Sequence, residues 1–188
     1  RCAIVQPGVT NLELQNALAP LGFFYAPDPA SQKVATLGGN VGENSGGPRC
    51  LKYGVTTNNL MGVTMVMMDG TIVEIGGAHL DAAGYDLLGV ICGSEGQLGV
   101  VTEATLRIRP FTPMKMRYYY YRSLRHAIED LQQLDAASVC DYSGILTMMD
   151  KAITLLVGFD SDERDEQFQQ HWRKRLRGHG EPVFALRL

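Results

Sequence analysis

The start of the chain carries the spacing of a strand, a turn and a helix. Ala3 to Val5 form a short strand-like run that ends at Pro7-Gly8. Thr10 and Glu13 have the spacing of a capping box, in which each side chain accepts a hydrogen bond from the backbone N–H of the other residue. Gly22 is a natural helix terminator. Between these signals the apolar residues recur at helical spacing, and they are Leu14, Ala17, Leu18 and Leu21.

A β-hairpin is predicted further along. Residues 63–68 and 71–75 are rich in apolar and β-branched side chains, and they flank Asp69-Gly70. Asp-Gly between two such runs is the strongest short signal for a hairpin. Residues 85–92 predict a short helix. Alternation over residues 98–108 then predicts a strand with one buried face, formed by Val100, Thr102, Ala104, Leu106 and Ile108.

Pro110 and Pro113 mark a predicted boundary between two domains, residues 1–110 and 111–188. The order strand, helix, strand, strand, helix follows, which predicts the start of an α+β sandwich that is incomplete at Leu188. The last helix begins acidic and ends basic, which complements the helix dipole and indicates a solvated face. The predicted elements are residues 116–121, a helix capped by Ser123, residues 144–148, 152–157 and 161–177.

The composition is that of an ordinary globular protein. Of the 188 residues, 45% are hydrophobic and 20% are charged, and the net charge is −3. This balance gives no electrostatic footprint for nucleic acid. The longest apolar run, residues 60–68, is far shorter than the ~20 residues that span a bilayer. The chain opens at Arg1 on a strand-like segment, and we expect it to be part of a longer polypeptide.

The cysteines and histidines show no metal-binding pattern. Cys2, Cys50, Cys92 and Cys140 are widely spaced and form no Cys-x-x-Cys pair. We therefore expect no iron–sulfur or zinc site within this chain. Free thiols in a reducing compartment are the simpler interpretation. The histidines show no ligand spacing either.

Two glycine-rich segments dominate the first half of the chain. Residues 36–47 read Thr-Leu-Gly-Gly-Asn-Val-Gly-Glu-Asn-Ser-Gly-Gly, and residues 93–103 read Gly-Ser-Glu-Gly-Gln-Leu-Gly-Val-Val-Thr-Glu. Clustered glycine indicates positive φ or a close approach of the backbone to another group. In the first segment the amides could turn toward an anion. A cradle for a phosphate-bearing cofactor and a run of tight turns both fit, and Arg49 or Lys52 could assist a cradle or simply be surface cations.

Four ordered motifs resemble one family. They are Tyr-Ala-Pro-Asp-Pro at residues 25–29, the two glycine-rich segments, and Leu-Lys-Tyr-Gly at residues 51–54. Together they resemble FAD-linked 2-hydroxy-acid oxidases of the vanillyl-alcohol-oxidase type, which have a PCMH-type FAD-binding domain. Within that family the nearest resemblance is to the FAD-binding subunits D of glycolate oxidases, with D-lactate dehydrogenases as close cousins. The resemblance covers residues 1–110.

The resemblance implies a fold and a cofactor site. The fold is α+β: the second half of a PCMH-type FAD-binding domain, whose first phosphate loop would precede this chain, and then the beginning of a ferredoxin-like substrate-cap domain. The first glycine segment would wrap the FAD pyrophosphate and the flavin edge through backbone amides, Pro29 would lie on the approach to the flavin, and the main chain of Val101 would lie near the adenine. The implied cofactor-binding residues are Pro29, Thr36, Gly38, Gly39, Asn40, Gly42, Asn44, Ser45, Gly46, Gly47, Tyr53, Gly54, Glu95, Gly96, Gly99, Val100 and Val101.

The resemblance also implies an activity, which is FAD-dependent oxidation of a small 2-hydroxy acid of the glycolate or D-lactate type to the 2-oxo acid. Electrons would pass to a partner, with iron–sulfur and second flavin-fold subunits implied. The location would be cytoplasmic, at most peripheral at the inner membrane face. The family's catalytic and metal residues lie outside this chain, so we assign no catalytic residue and no metal ligand. Two alternatives stay open: a transferase like alkyl-dihydroxyacetone-phosphate synthase, which uses FAD without net oxidation, and a non-catalytic flavin-fold subunit.

Overall fold

The computed structural model describes residues 1–79, 84–111, 113, 115–121, 123–137, 142–147, 153–159, 165–170 and 181–187. The chain divides into two compact units, Arg1–Phe111 and Thr112–Leu188. The first unit contains an antiparallel sheet with short helices, and the second contains a separate antiparallel sheet with a longer helix.

The first unit begins as its sequence pattern predicts. Strand β1 (Cys2–Val5) leads to helix α1 (Asn11–Leu18), and a 3-10 turn over Ala19–Leu21 follows. The capping box is confirmed, since the Glu13 amide binds the Thr10 hydroxyl at 3.2 Å and the Thr10 amide binds the Glu13 carboxylate at 2.8 Å. Gly22 ends the segment with φ +73°, a conformation that glycine adopts without strain.

The remaining elements of the first unit surround one sheet. They are β2 (Phe23–Tyr25), α2 (Leu37–Glu43), α3 (Cys50–Tyr53), a 3-10 turn (Thr56–Asn59), β3 (Leu60–Val66), β4 (Ile72–Gly76), α4 (Leu87–Ile91) and β5 (Val100–Pro110). The strand order is β1-β5-β3-β4, and β2 pairs with the end of β5. All of these pairings are antiparallel. The core collects apolar residues of the sheet and of α1, α2 and α4.

The hairpin prediction is confirmed, whereas the predicted buried face of β5 is wrong at its start. Val100 is 66% exposed, while Val101 packs against the core. The reason is a register shift: Thr64 pairs with Glu103 but Met65 pairs with Val101, so Thr102 is an extra residue in β5. Such a bulge reverses which residues face inward. Beyond it the prediction holds, since Ala104 and Leu106 are fully buried.

The second unit has a split β-α-β arrangement. Its elements are β6 (Lys115–Tyr121), α5 (Leu124–Ala137), β7 (Tyr142–Thr147), β8 (Ile153–Phe159), helical residues 165–170 and β9 (Glu181–Arg187). The antiparallel sheet has the order β7-β8-β6-β9. This order is ferredoxin-like, as predicted, and β9 is an element that the sequence pattern did not indicate. Parts of the predicted helix 161–177 lie outside the described residues.

Candidate functional site

The two glycine-rich segments meet in the first unit. The amide of Gly93 donates to the carbonyl of Val41 at 2.8 Å, and the amide of Glu95 donates to the carbonyl of Gly42 at 3.0 Å. A Cβ atom added at Gly93 would lie 3.4 Å from the Cβ of Asn44. The end of α2 and the turn after α4 are therefore joined by backbone hydrogen bonds and by close contact.

The first glycine-rich segment is a short helix rather than a loop. Thr36 caps it, because its side chain accepts from the amide of Gly39 at 3.2 Å, and Asn44 ends it with φ +51°. The amides of its first turn already have acceptors: Leu37 donates to Val9 and Gly38 to Pro7, each at 2.8 Å. The amides of Leu37 and Gly38 are therefore already paired, and the phosphate contacts of this segment stay a prediction.

A groove of about 520 Å³ lies between α2 and the second glycine-rich segment. Among the implied cofactor-binding residues, those that line it are Thr36, Gly38, Gly39, Gly42, Glu95, Gly96, Gly99, Val100 and Val101. Gly42 and Gly96 present bare backbone, since an added Cβ would meet nothing nearer than 4.0 Å at Gly42 and nothing within 4 Å at Gly96. Side chains at these two positions would occupy space that the groove leaves open.

The chemistry of the groove is apolar and acidic. Val41, Ile91, Val100 and Val101 give it apolar walls, and no lysine, arginine or histidine is found among the described residues that line it. Its only charged lining residues in the described part of the chain are Glu43 and Glu95. The described lining residues thus supply two carboxylates and no cation. Flat rings and hydroxyl groups, which donate hydrogen bonds to carboxylates, suit this lining.

The other implied residues support the groove from behind or lie away from it. The Oδ1 atom of Asn44 accepts from the amide of Thr57 at 3.0 Å, and the Ser45 carbonyl accepts from the Thr56 hydroxyl at 2.7 Å. Asn40 is 2% exposed, and its Nδ2 atom has no hydrogen-bond partner among the described residues. The remaining members of this set pack in the segment that leads to β3, and they are Pro29, Gly46, Gly47, Tyr53 and Gly54.

Glycine at position 47 has a packing role. A Cβ atom there would lie 2.0 Å from the carbonyl oxygen of Asp28 and 3.0 Å from the nitrogen of Pro29. At position 54 the chain has φ +73°, and an added Cβ would lie 2.3 Å from Oδ1 of Asn58. Gly47 therefore allows close packing of backbone, and Gly54 allows a positive φ and room for the Asn58 side chain. Both are sufficient reasons for glycine without a ligand.

The cations that follow the first segment are placed around aromatic rings. The Arg109 guanidinium lies 5.0 Å from the centre of the Tyr53 ring, and Lys52 Nζ lies 5.2 Å from it. Arg49 lies over Phe24 at 5.4 Å, and its Nε is 3.6 Å from Asp28. None of these cations lines the groove.

The cysteines in the described part of the chain are free thiols. The described residues contain no cluster of potential metal ligands. Cys92 is buried, and its Sγ lies 3.5 Å from Oδ1 of Asn44, to which the thiol donates. Burial raises the pKa of the Cys92 thiol, so it is a weak nucleophile at neutral pH. No helix of the described residues has the length and hydropathy needed to cross a membrane.

Sequence reasoning missed several residues of the groove. Pro7 and Gly8 line it from the turn after β1, and Val41, Glu43, Ile91 and Ser94 complete its walls. The Pro-Gly turn after a strand was a usable signal, but its approach to α2 depends on tertiary structure. A second cavity of about 370 Å³, lined by Met61, His79 and Arg107 among others, lies beside α4 and was not anticipated.

Comparison with known proteins identifies the class. Residues 1–76 match the family model described as an FAD binding domain. Residues 1–76 are therefore part of an FAD-binding domain, of the PCMH type that the motifs resemble, and FAD is its cofactor.

The relatives extend this assignment. Over 114 residues the chain is 49% identical to the glycolate oxidase subunit GlcD of Escherichia coli K12. This alignment covers 61% of this chain and 23% of that protein. GlcD of Bacillus subtilis is 43% identical over 139 residues, 73% of this chain and 30% of the relative. D-lactate dehydrogenase of Archaeoglobus fulgidus is 40% identical over 111 residues, which are 58% of this chain and 25% of that protein. The chain thus spans less than a third of the length of these curated relatives.

Solved structures agree on the fold. A structure of alkyldihydroxyacetonephosphate synthase superposes with a TM-score of 0.85 over 98% of this chain and 40% of the other, at 20% sequence identity. This shows a shared fold, and the predicted fold class is confirmed.

The groove fits part of FAD. Its open backbone at Gly42 and Gly96 leaves room for a flat group, its valine and isoleucine side chains suit a ring, and its carboxylates suit hydroxyl donors. Residues that would hold part of the cofactor are therefore present.

Proposed function

We propose that the intact protein is an FAD-dependent dehydrogenase that oxidises a small 2-hydroxy acid, of the glycolate or D-lactate type, to the 2-oxo acid. The observation that carries the proposal is the groove whose two walls are the glycine-rich segments, Gly42 on one and Gly96 on the other. The names of the relatives support the substrate class: glycolate oxidase subunit, D-lactate dehydrogenase and D-2-hydroxyglutarate dehydrogenase.

This chain contributes binding and orientation. When bound, FAD supplies the capacity to accept two electrons from an alcohol carbon. Gly42 and Gly96 allow the backbone to approach the cofactor, and Val41 and Ile91 exclude water from the floor of the groove. The bonds from Gly93 to Val41 and from Glu95 to Gly42 hold the two walls at a fixed spacing. We propose that the residues implied by the resemblance form the cofactor-binding set. Those that line the groove contact the cofactor, and the others support the groove.

We propose that residues 1–110 are the carboxyl-terminal part of the FAD-binding domain and that residues 111–188 begin the substrate-cap domain. The ferredoxin-like order of β7-β8-β6-β9 supports the second assignment. We assign no catalytic base and no metal ligand to this chain.

Partners and location are proposed from the relatives. GlcD is named as a subunit of glycolate oxidase. We propose that electrons leave the cofactor to a partner carrier, with iron–sulfur and second flavin-fold subunits as candidates, and that the complex is cytoplasmic or peripheral at the inner membrane face.

The test is an anaerobic visible spectrum of the intact protein with bound FAD, titrated with glycolate, D-lactate, L-lactate and D-2-hydroxyglutarate. The proposal predicts that one of them bleaches the flavin absorbance, and that the D isomer of lactate acts before the L isomer. A flavin that none of these acids reduces would contradict it. If the protein instead exchanges the acyl group of an acylated phosphate ester while the flavin absorbance stays unchanged, the transferase alternative is favoured. If no substrate changes the flavin and a partner protein stays tightly bound, the non-catalytic flavin-fold subunit is favoured.

A further inference from the structure

The cavity beside α4 is separate from the groove that we assign to FAD. Its volume is about 370 Å³, and it has no described lining residue in common with the groove. Its described walls come from β3, β4, β5 and the start of α4. Ligand pockets typically measure about 300 Å³ or more, so the cavity has room for a small organic molecule.

Arg107 brings a positive charge to this cavity. It lies on β5 opposite Cys2 of β1, and it is the only lysine or arginine among the described lining residues. The Arg107 side chain forms no ion pair or hydrogen bond with any described residue, although the residue is partly buried. A guanidinium group that is partly withdrawn from water and has no counter-ion is stabilised when an anion binds to it.

A neighbouring arginine strengthens the positive potential at this site. Arg109 is two residues further along β5, so its Cβ points to the same side of the strand as that of Arg107. The Arg109 guanidinium stacks on Tyr53 and does not line the cavity. Burial lowers the pKa of Arg109, and the charge of Arg107 lowers it further. The two guanidinium groups therefore repel each other, and an anion bound to Arg107 would offset that repulsion.

The uncharged part of the lining favours an organic ligand. Leu60 and Met61 are each 7% exposed, and they form an aliphatic wall with Ile75 and Leu88. Such a wall binds the carbon chain of a ligand by removing it from water. A guanidinium group binds both oxygens of a carboxylate side by side. An acid with a short carbon chain satisfies both parts of the cavity.

The one carboxylate in the described lining does not neutralise Arg107. Asp86 begins α4, where its Oδ1 atom accepts a hydrogen bond from the amide of Gly89 at 2.9 Å. No ion pair joins Asp86 to Arg107 in the described part of the chain. A ligand with a single negative charge can therefore pair with the guanidinium, whereas each further negative charge would also meet the repulsion of Asp86.

We propose that this cavity binds a small organic acid, whose carboxylate pairs with Arg107 and whose carbon chain packs against Leu60 and Met61. The proposal concerns binding at a site other than the groove, and it does not depend on the proposed function.

The first test measures the affinity of butyrate for the intact protein with FAD bound, by calorimetry. The wild type should bind butyrate saturably and should bind butyramide, its neutral isostere, at least about tenfold more weakly. Arg107→Gln should weaken butyrate binding by about tenfold to a hundredfold, the range expected for a lost charge-assisted hydrogen bond. Arg109→Gln is the matched control on the same side of the same strand. It should change the affinity by less than about threefold, because its charge lies outside the cavity and is screened by solvent.

The second test adds a negative charge to the cavity wall without disturbing the core. Leu87 of α4 lines the cavity and is 47% exposed, whereas Val90 of the same helix is 61% exposed and does not line it. Leu87→Glu should weaken butyrate binding by at least about fivefold through repulsion of like charges. Val90→Glu should leave the affinity near that of the wild type. The melting temperature of each variant shows that the fold is retained.

Several results would overturn the proposal. They are a wild type that does not bind butyrate, equal affinities for butyrate and butyramide, wild-type affinity in Arg107→Gln, and equal losses in Leu87→Glu and Val90→Glu. Butyrate held at the substrate site of the whole enzyme would be insensitive to all four substitutions, and that pattern would also overturn it. Inorganic phosphate that binds as tightly as butyrate would contradict the assignment to an organic acid. A flavin that no 2-hydroxy acid reduces, in a protein that binds butyrate as expected, would contradict the proposed function alone.

Discussion

The amide of Glu95 donates a 3.0 Å hydrogen bond to the carbonyl of Gly42, and this bond joins the two glycine-rich segments at the groove. A Cβ atom at Gly42 would lie 4.0 Å from the Cα of Glu95, an ordinary contact distance. The two segments are thus close enough to share a hydrogen bond and still leave space between their remaining backbones. That space is the groove that we assign to FAD.

Glycine 47 should be required for folding of the segment that supports the groove. Gly47→Ala would place Cβ 2.0 Å from the carbonyl oxygen of Asp28, a backbone atom that cannot move away alone. We expect a loss of at least about 2 kcal/mol in the free energy of unfolding, since overpacking typically costs ~1–3 kcal/mol. Thermal unfolding of the apoprotein measures it. Gly8→Ala, where an added Cβ meets nothing within 4 Å, is the control, and equal melting temperatures for the two variants would refute this packing role.

Much of the fold could be predicted because its signals are local. Thr10 with Glu13 determines the start of α1, and Asp69-Gly70 determines the hairpin: Gly70 has φ +84° and Thr71 donates to the Asp69 carboxylate at 2.9 Å. These contacts span a few residues, so the sequence pattern contains them.

The predictions from sequence were wrong where tertiary contacts determine the local structure. α2 contains Gly38, Gly39 and Gly42, which disfavour helix, yet it forms because Pro7 and Val9 accept the amides of its first turn and Val41 is buried. The bulge at Thr102 depends on pairing with β3, which alternation alone cannot reveal. Site prediction had the same limit: the motifs located both walls of the groove, but not the turn at Pro7 that closes it.

Stability should fall at alkaline pH. Burial raises the pKa of Tyr25 above its usual value of 10.0, and burial also raises the pKa of Cys92 above 9.0. Both groups are neutral when protonated, so the folded state holds these protons more tightly than the unfolded state. Their contribution to the free energy of unfolding is complete below about pH 9 and is lost as pH rises through the pKa values of the folded state.

The measurement is the free energy of unfolding between pH 7 and pH 11 for the wild type and for Tyr25→Phe. The variant should lose less stability per unit of pH above 10. Tyr85→Phe serves as the control, since Tyr85 is 93% exposed. A wild-type profile that is flat to pH 11, or the same alkaline slope in Tyr25→Phe, would contradict the assignment.

The second unit should depend on one buried ion pair. Arg117 contacts Asp165 through both Nε and Nη2, the latter at 2.6 Å, and the Asp165 side chain is 4% exposed. Arg117→Ala removes two charge-assisted hydrogen bonds from a buried carboxylate and should cost about 3–5 kcal/mol. Arg125→Ala, which breaks the pair between Arg125 and Glu129 with side chains 84% and 47% exposed, should cost less than about 0.5 kcal/mol.

Hydrogen exchange measured by mass spectrometry resolves this unit within the intact protein. Arg117→Ala should accelerate exchange in β6 and β8, whereas Arg125→Ala should leave both strands near the wild-type rate. Protection in β6 and β8 that is unchanged in Arg117→Ala would show that the pair does not stabilise the sheet.

We propose that the groove beside Gly42 binds FAD, and the affinity of Gly42→Leu for FAD tests this most directly. Leucine favours helix by up to about 1 kcal/mol relative to glycine, and position 42 has room for its Cβ, so the apoprotein should melt at or above the wild-type temperature. The side chain would fill the groove. We predict at least about a hundredfold weaker FAD binding by the intact apoprotein, in line with a lost buried contact of about 3 kcal/mol, and a smaller loss for Gly42→Ala. Folded Gly42→Leu that binds FAD with wild-type affinity would contradict the account.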